Sequence, residues 1–117
     1  MRLKIIQIND LQESTIHNQG AIENNLNEFR TIESGQYSIT LLENEMKFRI
    51  VDDEKTIETL FTPHKITQML IKTEYGETKL DVKTTFYGKS ESEIELKYHL
   101  LSQSQIIDSF HFKFLLK

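Results

Sequence analysis

Three times in the last third of the chain, apolar and polar side chains change places at every residue. Leu80, Val82, Thr84 and Phe86 alternate with Lys79, Asp81, Lys83 and Thr85. Ile94, Leu96, Tyr98 and Leu100 alternate with Glu93, Glu95, Lys97 and His99, and Phe110, Phe112, Phe114 and Leu116 with His111, Lys113 and Leu115. A period of two sends successive side chains to opposite faces of a strand, so each run has one dry face and one wet face. Three such runs joined by short turns predict an antiparallel sheet with an aromatic inner face that the rest of the chain must cover or continue.

Charge complementarity supplies a register. Lys83 opposite Glu95 and Asp81 opposite Lys97 predict a turn over Gly88-Lys89-Ser90, with Thr84 against Ile94 and Val82 against Leu96. In the last hairpin, Glu95 opposite Lys113 sets Leu96 against Phe112 and Tyr98 against Phe110.

Upstream, Arg2 to Ile8 predicts a first strand with a bulge where the apolar parity changes between Ile5 and Ile6. Residues 9–25 are polar, with Asn18-Gln19-Gly20 and Asn24-Asn25 as turn signals. Only Ile16, Ala21 and Ile22 look able to pack there. A short strand around Glu13 to His17 followed by a loop, or a helical turn near Ala21 to Glu28, both fit. Further strands are expected over Leu26–Ile32, Gln36–Leu42, Met46–Val51, Thr56–Phe61 and Ile66–Thr73. They are separated by Ser34-Gly35, Glu43-Asn44-Glu45, Asp52-Asp53-Glu54 and Thr62-Pro63-His64. Pro63 has no N–H to donate and must lie outside the ladder.

Short strands in close succession predict an all-β fold. An antiparallel up-and-down barrel of about eight to ten strands is expected, because closing a meander removes its edges. All 117 residues form one domain in this reading. The runs Thr73-Glu74-Tyr75-Gly76, Leu80-Asp81-Val82-Lys83-Thr84 and Ile94-Glu95-Leu96-Lys97-Tyr98-His99-Leu100 resemble the YwiB-like family of small uncharacterised bacterial proteins, found mostly in Firmicutes. The resemblance spans about the last three-quarters of the chain. It implies a calycin or lipocalin-like β-barrel and no reaction. The chain departs from the family pattern before Leu26 and at Val51-Asp52-Asp53, where an Arg-Gly turn is usual.

Composition narrows the partners. Fourteen Lys and Arg against eighteen Asp and Glu give a net charge of −4. With no basic stripe, nucleic acid is not an expected partner. No stretch approaches the roughly 18 apolar residues of a membrane helix, and no membrane partner is expected. The absence of Cys excludes thiolate chemistry and Cys-ligated zinc and favours a reducing, cytoplasmic setting.

Catalytic patterns are weak. No Gly-x-Ser-x-Gly elbow is present, and Gly88-Lys89-Ser90 lacks the glycine spacing and helix of a phosphate loop. His99 and His111 fall on outward positions of adjacent strands with Asp81 nearby, but without a metal-ligand spacing, so no metal or other cofactor is expected. Asp108 shares parity with Phe110 and could face inward at the rim, or cap its turn. No catalytic residue is assigned. The expected function is the binding of a small, partly apolar ligand at an inner wall of Phe48, Thr84, Phe86, Leu96, Tyr98, Phe110 and Phe112, where Tyr98 can orient it. The alternatives are a plugged barrel acting as a structural or protein-interaction module, for instance as a homodimer, and a small hydrolase or isomerase.

Overall fold

A computed structural model describes residues 1–26 and 29–117; of Leu26, it describes the backbone. The expected strand over Leu26–Ile32 and the competing helical turn therefore lie partly outside the described residues. Eleven strands follow in chain order: β1 Arg2–Asn9, β2 Gln12–Gly20, β3 Ile22–Leu26, β4 Phe29–Ser34, β5 Tyr37–Leu41, β6 Met46–Val51, β7 Lys55–Phe61, β8 Ile66–Thr73, β9 Gly76–Lys89, β10 Glu93–Ser102 and β11 Gln105–Leu116. No helix occurs among the described residues, and none is long and apolar enough to cross a membrane.

All eleven strands form one antiparallel sheet in the order β2-β1-β11-β10-β9-β8-β7-β6-β5-β4-β3. From β3 to β11 the order is an uninterrupted meander; β1 then adds beside β11, pairing Leu3 with Leu116 and Ile5 with Phe114. The sheet curls until Leu3 and Ile5 at one end share a single core with Ile32 and Ile39 near the other. Twist drives the curl, and burying one apolar face rewards it. The two limbs also touch at their polar ends. Arg30 Nη1 donates to the Glu91 carbonyl at 3.3 Å, and Lys89 Nζ donates to the Leu42 carbonyl at 3.3 Å.

The expected barrel is thus an open half-barrel with one strand more than the upper expected count. The extra strand comes from residues 12–26, where a short strand plus loop or helical turn was expected. That run instead makes two strands with a break at Ala21: its first part pairs with β1 and its second with β4. The two edge strands are therefore consecutive in the chain, and the run bridges the open side covalently instead of through a ladder. Ala21 N donates to the Met1 carbonyl at 2.9 Å where the run changes direction. Ile22, expected to pack, is 70% exposed.

The first strand behaves as expected, with a register shift between Ile5 and Ile6 that buries both. The last hairpin also keeps its expected register: Glu95 lies opposite Lys113, Leu96 opposite Phe112 and Tyr98 opposite Phe110. The β9–β10 hairpin does not. Lys83 pairs with His99 and Asp81 with Leu101; Val82 lies opposite Leu100 and Thr84 opposite Tyr98. β9 runs on to Lys89, and the turn is Ser90-Glu91-Ser92, closed by Ser90 N donating to the Glu93 carbonyl at 2.8 Å. Exposed ion pairs contribute about 0–1 kcal/mol, too little to hold a register against burial. A bulge at Thr85, opposite the Lys97–Tyr98 step, also inverts parity. Beyond it Tyr87 packs on the core and Phe86 turns outward.

Candidate functional site

Inside the curl lies a cavity of about 220 Å³. Its walls come from β1, β2, β5 to β8, β10 and β11, and β9 contributes no lining side chain. One wall is a ladder of three rings. Tyr98 stacks on Phe110 with centroids 5.2 Å apart and planes at 25°, and Phe110 on Phe112 at 5.9 Å and 11°. This ladder follows from the β10–β11 register, which sets Tyr98 beside Phe110. A second, shorter ladder stands on the β5–β6 hairpin, where Tyr37 stacks on Phe48 at 5.7 Å and 16°. Phe114 joins the two, edge-on to Phe48 at 5.4 Å and 69°.

Of the seven residues expected to form the site, Phe48, Leu96, Tyr98, Phe110 and Phe112 line this cavity. Phe86 does not. The Thr85 bulge carries its ring to the outer face, where Lys97 Nζ sits 5.7 Å from its centroid. Thr84 faces the interior at 1% exposure but does not reach the cavity, and its Oγ1 has no hydrogen-bond partner among the described residues. Sequence reasoning left out Tyr37, Ile50, Ile57 and Met69, which also line it. Tyr37 and Ile50 were findable, because they share parity with Ile39 and Phe48 on the expected β5 and β6. Ile16, expected to pack, could not be placed at the cavity, since it reaches it from a strand whose pattern is otherwise polar.

No charged side chain lines the cavity among the described residues; Tyr37, Thr59 and Tyr98 supply its polar groups. Burial raises the phenol pKa of Tyr98, and the nearby charge of Asp108 raises it further. Burial likewise raises Tyr37. Both phenols are neutral at physiological pH and can donate or accept hydrogen bonds, but they offer no base or nucleophile. Asp108 is exposed within β11, and its carboxylate accepts from the adjacent Ser109 N–H at 2.8 Å rather than from the turn at Gln103-Ser104. His99 and His111 have separate partners: His99 Nδ1 lies 2.7 Å from Ser109 Oγ, and His111 Nε2 lies 2.9 Å from Glu95 Oε2. No metal-holding group of three His, Asp or Glu side chains forms among the described residues.

His17 borders the site unexpectedly. It is the one buried side chain of β2, at 9% exposure, with its ring 4.5 Å from that of Tyr37. Ser34 Oγ donates to the Gly20 carbonyl at 2.7 Å, which uses its only proton, so His17 Nε2 must be the donor in its 3.0 Å contact with Ser34 Oγ. This pair fastens β2 to β4 across the open side of the half-barrel. Burial lowers the His17 pKa below its ordinary 6.5. The unfolded chain therefore binds a proton near pH 6.5 that the folded chain takes up only at lower pH. The stability contributed by neutral His17 is complete above that value and lost as pH falls through the lower folded value. The urea midpoint should accordingly fall between pH 7.5 and 5.5, and His17→Gln should flatten that fall. Parallel pH profiles in both proteins would remove His17 from the account.

No protein-family model matches the chain, and none of the curated proteins matches it. Among solved structures, the YwiB protein from Bacillus subtilis superposes with a TM-score of 0.65 at 12% identity, over 99% of this chain and 89% of that one. At that identity the likeness is one of fold, and it agrees with the resemblance drawn from the strand motifs.

Proposed function

We propose that this chain, sharing the fold of the Bacillus subtilis YwiB protein, is a non-enzymatic binding protein of the calycin type. It holds a small, mostly apolar molecule in the inner cavity, against Phe48, Leu96, Tyr98, Phe110 and Phe112. One observation carries the reading: a half-barrel whose interior is not filled by its own side chains, with aromatic walls and, among the described residues, no charged group. A fully plugged barrel would leave no such space. Catalysis at this site would need a group that titrates near neutrality or an activated nucleophile, and among the described residues the lining supplies neither. The lack of Cys agrees with a cytoplasmic setting.

Native mass spectrometry of the purified protein, followed by denaturation, tests the proposal. The expected result is a near-stoichiometric small molecule released from the wild type and at least tenfold depleted in Tyr98→Ala and Phe110→Ala. Equal retention in both variants would overturn the assignment of the site. The same spectra address a second reading, association of two copies through the outer face. There Ile66 and Ile106, 61% and 59% exposed, flank a common depression. A ligand-free dimer would favour it.

A further inference from the structure

The same cavity carries information about the shape and charge of what fits it. An apolar cavity of about 150 Å³ accepts benzene and stays dry when empty. The cavity here, at about 220 Å³, is half as large again, room for a second fused ring and too little for a long acyl chain. Flatness is written into its walls. Three rings of β10 and β11 lie nearly parallel, with Tyr98, Phe110 and Phe112 inclined to one another by 25°, 22° and 11°. Two more, Tyr37 and Phe48, lie within 16° of parallel on another wall. Ring ladders of this kind extend by offset stacking of another flat ring, whereas an alkyl chain would leave most of the ring faces in poor contact.

Charge excludes the other common apolar ligands. A carboxylate head would have to enter a lining that, among the described residues, has no Lys, Arg or His, and its desolvation would go uncompensated. Asp108, close enough to Tyr98 for its charge to act on the phenol, would repel it as well. Neutral hydroxyls at Tyr37, Thr59 and Tyr98 can instead meet one N–H or O–H of a ring compound.

Resting on the binding function proposed above, we infer that the occupant is an uncharged, flat aromatic compound of one or two fused rings, of the size of indole or naphthol. It stacks against the ladder of Tyr98, Phe110 and Phe112.

The chain contains no Trp, so the emission of an added indole or of 2-naphthol is read over tyrosine alone. Titration of the full chain with indole, 2-naphthol, decanol and decanoate at pH 7.5 tests the inference. The expected result is saturable one-to-one binding of an aromatic probe, with a blue-shifted indole emission, at least tenfold tighter than decanoate and tighter than decanol. Phe110→Leu and Phe48→Leu, which keep apolar bulk but remove a ring, should weaken aromatic binding about tenfold and leave decanol unchanged. Phe86→Leu, on the outer face, should change nothing. Tighter binding of decanol or decanoate would overturn the aromatic class while leaving a binding cavity in place. If no probe saturates, the inference fails, and the co-purification experiment judges the binding function separately. Equal loss in the Phe86 and Phe110 variants would place the probe outside the cavity and overturn the inference too.

Discussion

Phe114→Ala should lower the stability of the chain by about 3–5 kcal/mol, the range for deleting a buried aromatic ring. The ring is 1% exposed and lies between Ile5 of β1 and Ile94 of β10, its partners in the two adjoining ladders. Those strands are hydrogen-bonded along their length, so neither can move inward to fill the space. The new void would also merge with the cavity that Phe114 already lines, and its contact with Phe48 would be lost. Against a total of about 5–15 kcal/mol for a small domain, this is a large fraction. Equilibrium urea unfolding should show a much lower midpoint with an unchanged slope. A loss below about 1.5 kcal/mol would mean that the inner face tolerates the void, contrary to the packing described.

Thr84→Val should act in the opposite direction and raise stability by about 1–2 kcal/mol, the scale of a buried, unpaired hydroxyl. Thr84 is 1% exposed, and its Oγ1 meets no partner among the described residues. Val keeps its shape and its β-branch. The backbone role is retained, since the Thr84 carbonyl still accepts from the His64 N–H at 3.3 Å. The same urea series measures the gain, and a loss instead would show that the hydroxyl is hydrogen-bonded in solution. Ligand binding should be unchanged in this variant, because Thr84 lies outside the cavity.

Legibility from sequence followed the strength of the alternation. From Ile94 to Leu100 of β10 and from Phe110 to Leu116 of β11 the alternation is uninterrupted, the one register shift falling beyond it at Leu100/Leu101, so the register there, the ring ladder and four of the expected cavity residues could be read from spacing alone. Phe86 could not. A bulge inserts a residue without changing the local composition, and the Thr84-Thr85 pair offers no apolar cue to which threonine goes inside. The charge pairs that suggested the β9–β10 register are individually weak, and the burial of Tyr87 overrode them. Residues 12–26 were opaque for another reason: β2 exposes every side chain except His17, so its pattern carries almost no amphipathic signal. Its place in the sheet is set by backbone pairing with β1, by the Arg2 side chain donating to Asn18 and by a histidine-serine contact, none of which has a periodicity to detect.

The pairing of β1 with β11 brings Arg2 beside Lys117, with the Lys117 N–H donating to the Arg2 carbonyl at 3.0 Å. A ribosome makes Leu3 and Ile5 well before their partners Phe114 and Leu116. Until then, one flank of β1 is an unsatisfied edge, and the core has no lid at that end. The meander from β3 to β10 can zip up hairpin by hairpin from local contacts, but docking the first strand waits on the closing of a loop nearly as long as the chain. Until β11 has emerged, the nascent chain is an open apolar trough, and that interval is when it most needs shielding from its neighbours.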